Sequence, residues 1–323
     1  MYRVLVAGML HPSGRALLDD CKGIEPTYVD DISEESYAPL IGEADALLIR
    51  TQPMSAATVA RAKRLRLVSR HGVGYDAVDV AALTAQGIPL AVCGDVNSTS
   101  VAEHAMMMIL AATKRVLRAD AAVRKGPWAW RNRLESQDLR GRNLLLLGYG
   151  RIGRHTAVMA AGFGLHIRAY DPYLLKQGWP EGPVTPASNL RDALAWADVI
   201  SVSAPRADKP LIGPEEFAAM KPGTVLVNTA RGGIVDEAAL VEALKDGTIG
   251  AAGLDVFEQE PLPADHPLKS FDQVLLSPHI AGVTAGAAER MAIGSAQNVI
   301  DFFHGRLDPA LIVNRTHLHD YKA

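Results

Sequence analysis

Four consecutive leucines, Leu144 to Leu147, run straight into Gly148-Tyr-Gly150-Arg-Ile-Gly153, and no other stretch constrains the fold as tightly. A short apolar run without alternation fits a strand buried on both faces of a parallel sheet. The glycines then have separate tasks. Gly148 permits a tight turn, Gly150 lets a pyrophosphate approach the backbone, and Gly153 lets a helix pack close to the strand. The phosphates would lie on the free N–H groups at the helix N-terminus, next to Arg151 and Ile152. A second strand-like run, His166 to Tyr170, ends at Asp171, about 18 residues past Gly153. A carboxylate there accepts hydrogen bonds from an adenosine ribose and repels a 2′-phosphate. Strand, glycine loop, helix and acid in this order predict a site for NAD, favoured over NADP. The glycine triplet alone would describe a fortuitous turn equally well.

The chain has 323 residues, enough for two domains of ordinary size. With 48% hydrophobic and 21% charged residues and a net charge of −3, it has no electrostatic reason to meet nucleic acid or an anionic membrane. Cys21 and Cys93 lack metal-ligand spacing and are too few for a disulfide framework, so a reducing, cytoplasmic setting is expected, with no metal. The N-terminus enters a strand-like run without the regions of a signal peptide. Apolar stretches are interrupted before membrane-spanning length. The polar tail with His317 and His319 reads as solvated rather than metal-binding.

Before the leucines, Val4–Ala7, Ala46–Ile49, Arg66–Ser69 and Pro89–Val92 read as strands. Helical spacing with plausible caps separates them at Pro12–Asp20, Ser33–Ile41, Ser55–Ala62 and Val78–Gln86. Ser100 and Glu103 have capping-box spacing, so one long helix is expected from about residue 100 to 125. Its Met106, Met107 and Met108 are expected in the core. After Arg142 a second alternation sets strands at Leu144–Leu147, Ile167–Tyr170, Val199–Val202, Val225–Val227, Ala251–Leu254 and Val274–Leu276, then a last helix over Thr284–Phe303. The expected fold is α/β with two Rossmann-like doubly wound parallel-sheet domains. A nucleotide domain, 100–289, is inserted into a flavodoxin-like substrate domain made of 1–99 and 290–323.

Ligands in open parallel sheets bind beyond the carboxyl ends of the strands. Three expected strands release an ionisable residue there: the first leads to Arg231-Gly232-Gly233, the next through Asp255 to Glu260, and the last to His279. An arginine fork holds a carboxylate and polarises an adjacent carbonyl. A histidine gives or takes a hydroxyl proton while hydride moves to or from a nicotinamide. A carboxylate beside that histidine favours imidazolium and fixes its tautomer. Together the three predict interconversion of a 2-oxo acid and a 2-hydroxy acid. Each has an ordinary alternative: Arg231 as a loop charge, Glu260 as one of several exposed acids, His279 as a cap for the next helix.

Over nearly the whole chain these segments resemble the D-isomer-specific 2-hydroxyacid dehydrogenase family, relatives of phosphoglycerate, glyoxylate and hydroxypyruvate reductases. Leu226-Val-Asn-Thr-Ala-Arg-Gly-Gly-Ile-Val-Asp-Glu237 resembles the family's arginine segment, which implies that Arg231 binds the substrate carboxylate. Gly253-Leu-Asp-Val-Phe-Glu-Gln-Glu-Pro261 resembles its glutamate segment, implying Glu260 as the partner of the histidine and Asp255 as a contact for the nicotinamide carboxamide. Ser277-Pro-His-Ile-Ala-Gly-Val-Thr284 resembles the acid/base segment, with His279 as proton donor in reduction. Ser69-Arg-His-Gly-Val-Gly-Tyr-Asp76 resembles the loop whose amides, here of Val73 and Gly74, cradle the substrate carboxylate as an anion nest. Ser98-Thr-Ser-Val-Ala-Glu-His104 resembles the start of the hinge helix on the nicotinamide side. The resemblance also implies cofactor contacts at Ala204, Pro205 and Ala230, and a substrate cleft between the domains whose closure excludes water. Arg50 and Arg70 stand at expected strand ends, where they suit a phosphate, sulfonate or second carboxylate, or surface salt bridges.

Some features depart from the family pattern. Where a His-x-Pro-x-Thr segment is common, this chain reads Ser203-Ala-Pro-Arg-Ala-Asp208, and Arg206 and Lys209 make the rim basic. That loop is either solvated or a contact for an anionic substrate tail. The chain ends at Ala323, so the regulatory domain of phosphoglycerate-specific members, and serine feedback through it, are not expected. Lys125-Gly-Pro-Trp-Ala-Trp-Arg131 resembles the family's dimerisation arm, implying a homodimer with Trp128 and Trp130 near the interface, although paired tryptophans also serve as core anchors. The sequence thus suggests an NAD-dependent oxidoreductase acting on a small 2-oxo acid of the glyoxylate or hydroxypyruvate type and its D-2-hydroxy acid. D-3-phosphoglycerate or another acidic 2-hydroxy acid is the alternative substrate. An NAD(H)-sensing, corepressor-like protein without turnover is the alternative of another class. Glu260 argues against formate chemistry, where the histidine's partner is usually an amide.

Overall fold

The computed structural model describes residues 1–318, and His319 lies outside the described residues. The chain forms two compact units, Met1–Asn97 with the residues from Val283 onward, and Ser98–Gly282. The second is therefore an insertion in the first.

The first unit holds β1 (Tyr2–Ala7), β2 (Ile24–Val29), β3 (Ala46–Ile49), β4 (Leu67–Arg70) and β5 (Leu90–Ala91). They form one parallel sheet in the order β2-β1-β3-β4-β5, the flavodoxin-like arrangement. β2 is absent from the sequence expectation. It carries Pro26 flanked by Glu25 and Thr27, which break the apolar run, and the proline is tolerated because the strand lies at the sheet edge. Short helices begin where Ser33, Ser55 and Asp79 each accept a hydrogen bond from the N–H three residues on. Each such cap is worth about 1 kcal/mol. The expected helix over Ser33–Ile41 shrinks to Glu34–Tyr37 followed by a 3-10 turn, Ile41–Glu43. The helix Ala285–Phe303 returns to this unit and packs Ala292, Ala296 and Val299 against Val4, Val6 and Leu48.

The inserted unit holds β6 (Asn143–Leu147), β7 (His166–Tyr170), β8 (Thr185–Pro186), β9 (Val199–Val202), β10 (Thr224–Asn228), β11 (Ile249–Leu254) and β12 (Val274–Leu276). Their order is β12-β11-β10-β9-β6-β7-β8, a Rossmann sheet with its switch point between β6 and β9. The four leucines of β6 are fully buried. Leu144 and Leu146 pack with Met106 and Met108 on one face, Leu145 and Leu147 with Ile200 and Leu226 on the other. Each contributes about 2 kcal/mol of apolar burial.

One row of the sheet matters most. Tyr170, Leu147, Val202, Asn228, Leu254 and Leu276 are register partners across β7, β6, β9, β10, β11 and β12. Every loop that follows one of these residues leaves the sheet along the same edge, about 4.8 Å from its neighbour.

The expected helix from 100 to 125 is two helices, Ser98–Thr113 and Val116–Lys125. Arg115 breaks it in a left-handed conformation, φ 54°, with its Nη1 donating to the Gly250 carbonyl at 2.5 Å. The first helix starts two residues before Ser100. It packs Met108 on Gly253, where an added Cβ would lie 2.8 Å from the Met108 Cβ, whereas Met107 is exposed rather than in the core. Among the described residues no helix is long and apolar enough to cross a membrane.

Candidate active site

The glycine loop leaves β6 at Leu147. Gly148 has φ 96°, and an added Cβ would lie 2.8 Å from the backbone of Ser203 and Ala204. That approach sets Ala204 and Pro205, beyond β9, against the loop. A Cβ on Gly153 would meet the Gly148 carbonyl at 2.4 Å. The protein itself therefore requires glycine at both positions. Gly150 differs: its φ is −74°, and an added Cβ would meet nothing within 4 Å. It is the N-cap of the helix Arg151–Gly162, where Arg151 is exposed and the first N–H groups of Arg151, Ile152 and Gly153 form an anion-binding end. Open space at that point suits a pyrophosphate, so the residues present fit a dinucleotide. Asp171 follows β7, the strand beside β6. Its Oδ2 accepts from the Tyr149 N–H at 2.9 Å and its Oδ1 from the Tyr173 and Leu174 N–H groups at 3.1 Å.

On the same sheet edge, three loops interlock. Beyond β10, Asn228 shapes the arginine loop: its Oδ1 accepts from Ala230 N–H and its Nδ2 donates to the Arg231 carbonyl, both at 3.0 Å. Arg231 Nη1 donates to the Ala230 carbonyl at 2.8 Å. A Cβ on Gly232 would lie only 1.7 Å from the Phe257 carbonyl oxygen, so the arginine and glutamate loops touch backbone to backbone. A carboxylate exchange clasps them again. Glu237 N–H donates to Glu258 Oε1 at 3.0 Å, and Glu258 N–H donates to Glu237 Oε1 at 2.6 Å. Burial raises the Glu237 pKa above the usual carboxylate range, and His266 lies 3.2 Å from its other oxygen. Sequence reasoning missed Asn228, Glu237 and Glu258. The available signal was Asp236-Glu237 opening a helix just after the glycine pair.

Glu260 Oε1 accepts from the Phe257 N–H at 3.0 Å, and Oε2 lies 2.8 Å from His279 Nδ1. His279 is one of three described non-glycine residues with positive φ, at 55°. It does not cap the next helix, a task that falls to Thr284. Asp255, 0% exposed, holds its turn: the His279 N–H donates to the Asp255 carbonyl, and those of Ile280 and Ala281 donate to its two carboxylate oxygens, all within 2.9 Å. The arrangement gives a histidine with one ring nitrogen fixed by a carboxylate and the other able to exchange a proton with a ligand.

The other sequence candidates divide between the two units. In the first unit, Val73 and Gly74 follow β4, Arg70 ends it, and Arg50 follows β3. Between them His71 is buried, and burial, with Arg50 and Arg70 nearby, pushes its pKa down to about 3. Arg50 Nη1 donates to the Met9 carbonyl at 2.7 Å and Arg70 Nη1 to that of His71 at 2.6 Å. In the inserted unit, the Arg206 guanidinium lies beside Gly233, 3.5 Å from where a Cβ would stand. Trp128 is 67% exposed rather than a core anchor, and Trp130 is half-buried. Among the described residues no cluster of three or more His, Cys, Asp or Glu is placed to hold a metal ion.

Comparison with known proteins gives the same picture. Residues 106–281 match the family model described as D-isomer specific 2-hydroxyacid dehydrogenase, NAD binding domain. The chain is 40% identical over 299 residues to the D-3-phosphoglycerate dehydrogenase of Mycobacterium tuberculosis (strain ATCC 25618 / H37Rv), covering 92% of this chain but 56% of that protein. So the chain spans little more than half the length of this relative. It is 37% identical over 321 residues to the glyoxylate reductase of Thermofilum pendens, covering 96% of this chain and 94% of the relative. Among solved structures, the NADPH-dependent glyoxylate/hydroxypyruvate reductase of Sinorhizobium meliloti, in complex with citrate, superimposes with a TM-score of 0.84 at 29% identity, covering 98% and 99% of the two chains. The sheet edge that gathers a dinucleotide cradle with arginine, glutamate and histidine loops lies within the matched residues, and the chain belongs to the D-isomer-specific 2-hydroxyacid dehydrogenase family of NAD(P)-binding enzymes.

Proposed function

We propose that the chain interconverts a small 2-oxo acid of the glyoxylate or hydroxypyruvate type with its D-2-hydroxy acid, using NAD(H) in preference to NADP(H). The observation that carries this reading is the His279–Glu260 pair at 2.8 Å, which engages Nδ1 and leaves Nε2 as the ring nitrogen for the substrate. When bound, the nicotinamide supplies or accepts the hydride. In reduction, His279 delivers its Nε2 proton to the substrate's 2-oxo oxygen. In oxidation it takes the hydroxyl proton and holds the resulting charge beside Glu260. Arg231 binds the substrate carboxylate and polarises the neighbouring carbonyl, while the Val73 and Gly74 amides hold the carboxylate as well. The Asp171 charge disfavours the 2′-phosphate of NADP.

One observation favours a second reading, oxidation of D-3-phosphoglycerate or another acidic 2-hydroxy acid. Arg50 and Arg70 both act on buried His71, two guanidinium groups of a kind that can meet an anionic substrate tail. A homodimer is part of the proposal. The helix Val116–Lys125 and the turn Trp128–Arg133 bury no residue, and Val123, Trp128 and Leu134 stand exposed, an apolar arm that a second copy would cover. Sedimentation showing only monomer at micromolar concentration rejects that part.

The test measures NADH and NADPH oxidation with glyoxylate, hydroxypyruvate and 3-phosphohydroxypyruvate. Faster turnover with NADH and an unphosphorylated acid supports the proposal. Preference for the phosphorylated acid, lost in Arg50→Ala and Arg70→Ala, supports the second reading. Tight NADH binding without turnover of any acid points to a cofactor sensor instead.

A further inference from the structure

We infer that His104 is a positioning residue for the acid/base turn, acting through the Ser277 hydroxyl and the Asp255 carboxylate on the backbone that presents His279. This rests on the reading of His279 as the acid/base group. The contacts begin in the helix Ser98–Thr113, where His104 Nε2 lies 3.0 Å from Ser277 Oγ. Ser277 Oγ donates to Asp255 Oδ1 at 2.5 Å, and His104 Nε2 is 3.7 Å from that same oxygen. A serine hydroxyl carries one hydrogen, and an ionised carboxylate only accepts. Ser277 therefore gives its hydrogen to Asp255 and receives one from His104, which fixes a proton on Nε2.

Asp255 passes the constraint on. Its carbonyl and two carboxylate oxygens receive the successive N–H groups of His279, Ile280 and Ala281. Those three bonds hold His279 at φ 55°, a region strained for any residue with a side chain. The Asp255 side chain is 1% exposed and that of His104 16%, so water does not readily replace a missing partner. Without the His104 donor, Ser277 is free to turn its hydroxyl away and Asp255 loses one of its fixed contacts. The strained turn then relaxes and His279 shifts against Glu260. A proton donor acts in the transition state, so the loss falls on kcat rather than on binding.

The test compares wild type with His104→Leu, His104→Gln and Ser277→Ala. Glutamine reaches the same place with an amide that donates. His104→Leu and Ser277→Ala are expected to lower kcat about tenfold, as for a sub-ångström displacement of a reacting group. The KM values for NADH and acid should move less than about twofold, and His104→Gln should recover kcat to within about threefold of wild type. Hydrogen exchange at the Ile280 and Ala281 amides, a readout that needs no turnover, should quicken in His104→Leu and recover in His104→Gln. The inference is overturned if His104→Leu keeps wild-type kcat, if glutamine gives no rescue, or if exchange at both amides is unchanged. If the wild type itself does not turn over, the reading of His279 fails, and the exchange measurement alone decides on His104.

Discussion

Gly150 is the position where the cofactor and the protein make different demands. An alanine Cβ there meets no protein atom within 4 Å, and a φ of −74° suits any residue. As a helix N-cap, alanine costs up to about 1 kcal/mol relative to glycine, offset in part by a stiffer unfolded chain. Gly150→Ala should therefore melt within about 2–4 °C of wild type. Cofactor affinity should respond far more strongly. The methyl group fills the space through which a pyrophosphate approaches the helix N-terminus, weakening one or two charge-assisted hydrogen bonds of about 1.5–3 kcal/mol each. A net loss of about 3 kcal/mol corresponds to roughly a hundredfold in Kd. The assay is fluorescence titration of NADH alongside a thermal melt. Gly162→Ala, also with open space but at the far end of the same helix, is the control and should leave Kd unchanged. Gly153→Ala, whose Cβ would meet the Gly148 carbonyl at 2.4 Å, should destabilise the fold itself. If Gly150→Ala folds normally and binds NADH with wild-type affinity, the space is not a pyrophosphate cradle and the reasoning is refuted.

Further outcomes follow from the same geometry. Gly232→Ala must open the contact between the arginine and glutamate loops by more than 1 Å, because its Cβ would start 1.7 Å from the Phe257 oxygen. A misplacement of that size costs about a hundredfold in kcat/KM, and near-wild-type turnover in a folded variant would contradict the clasp. His71 has a folded pKa of about 3 against 6.5 for the free group, so the unfolded chain protonates first and stability falls as the pH drops from 6.5 towards 3. At pH 5 the loss is about 2 kcal/mol relative to pH 7. Urea denaturation should show wild type losing more stability over that interval than His71→Gln, and equal losses would mean His71 is not held neutral.

The glycine loop and the placement of the arginine, glutamate and histidine loops were legible because each is a local pattern that follows a buried strand, and strand ends in a parallel sheet share an edge. What the sequence hid depends on partners far away in the chain. β2 is an edge strand, interrupted by Pro26, held by pairing with β1 rather than by its own pattern. The break at Arg115 follows a bond to the Gly250 carbonyl, 135 positions away. The Glu237–Glu258 clasp joins residues 21 apart, and His104 meets Ser277 across 173. Neither spacing carries a periodic or motif signal, so only the folded register of β10, β11 and β12, with the helix Ser98–Thr113 packed on β11 and β12, brings those groups together. The burial of Asp255 was equally invisible. The resemblance implies a nicotinamide contact at this residue, and nothing in the local sequence shows the three protein donors from which its carboxylate accepts.

The central claim is that His279 moves the substrate proton while Glu260 holds it in place. Its most direct test is NADH oxidation by wild type and His279→Ala across a panel of 2-oxo acids, with NADH affinity measured on both. The account predicts turnover of glyoxylate or hydroxypyruvate by wild type, a fall of at least about a hundredfold in kcat for the variant, and little change in NADH affinity. A variant that still reduces the same acids at close to the wild-type rate would contradict it.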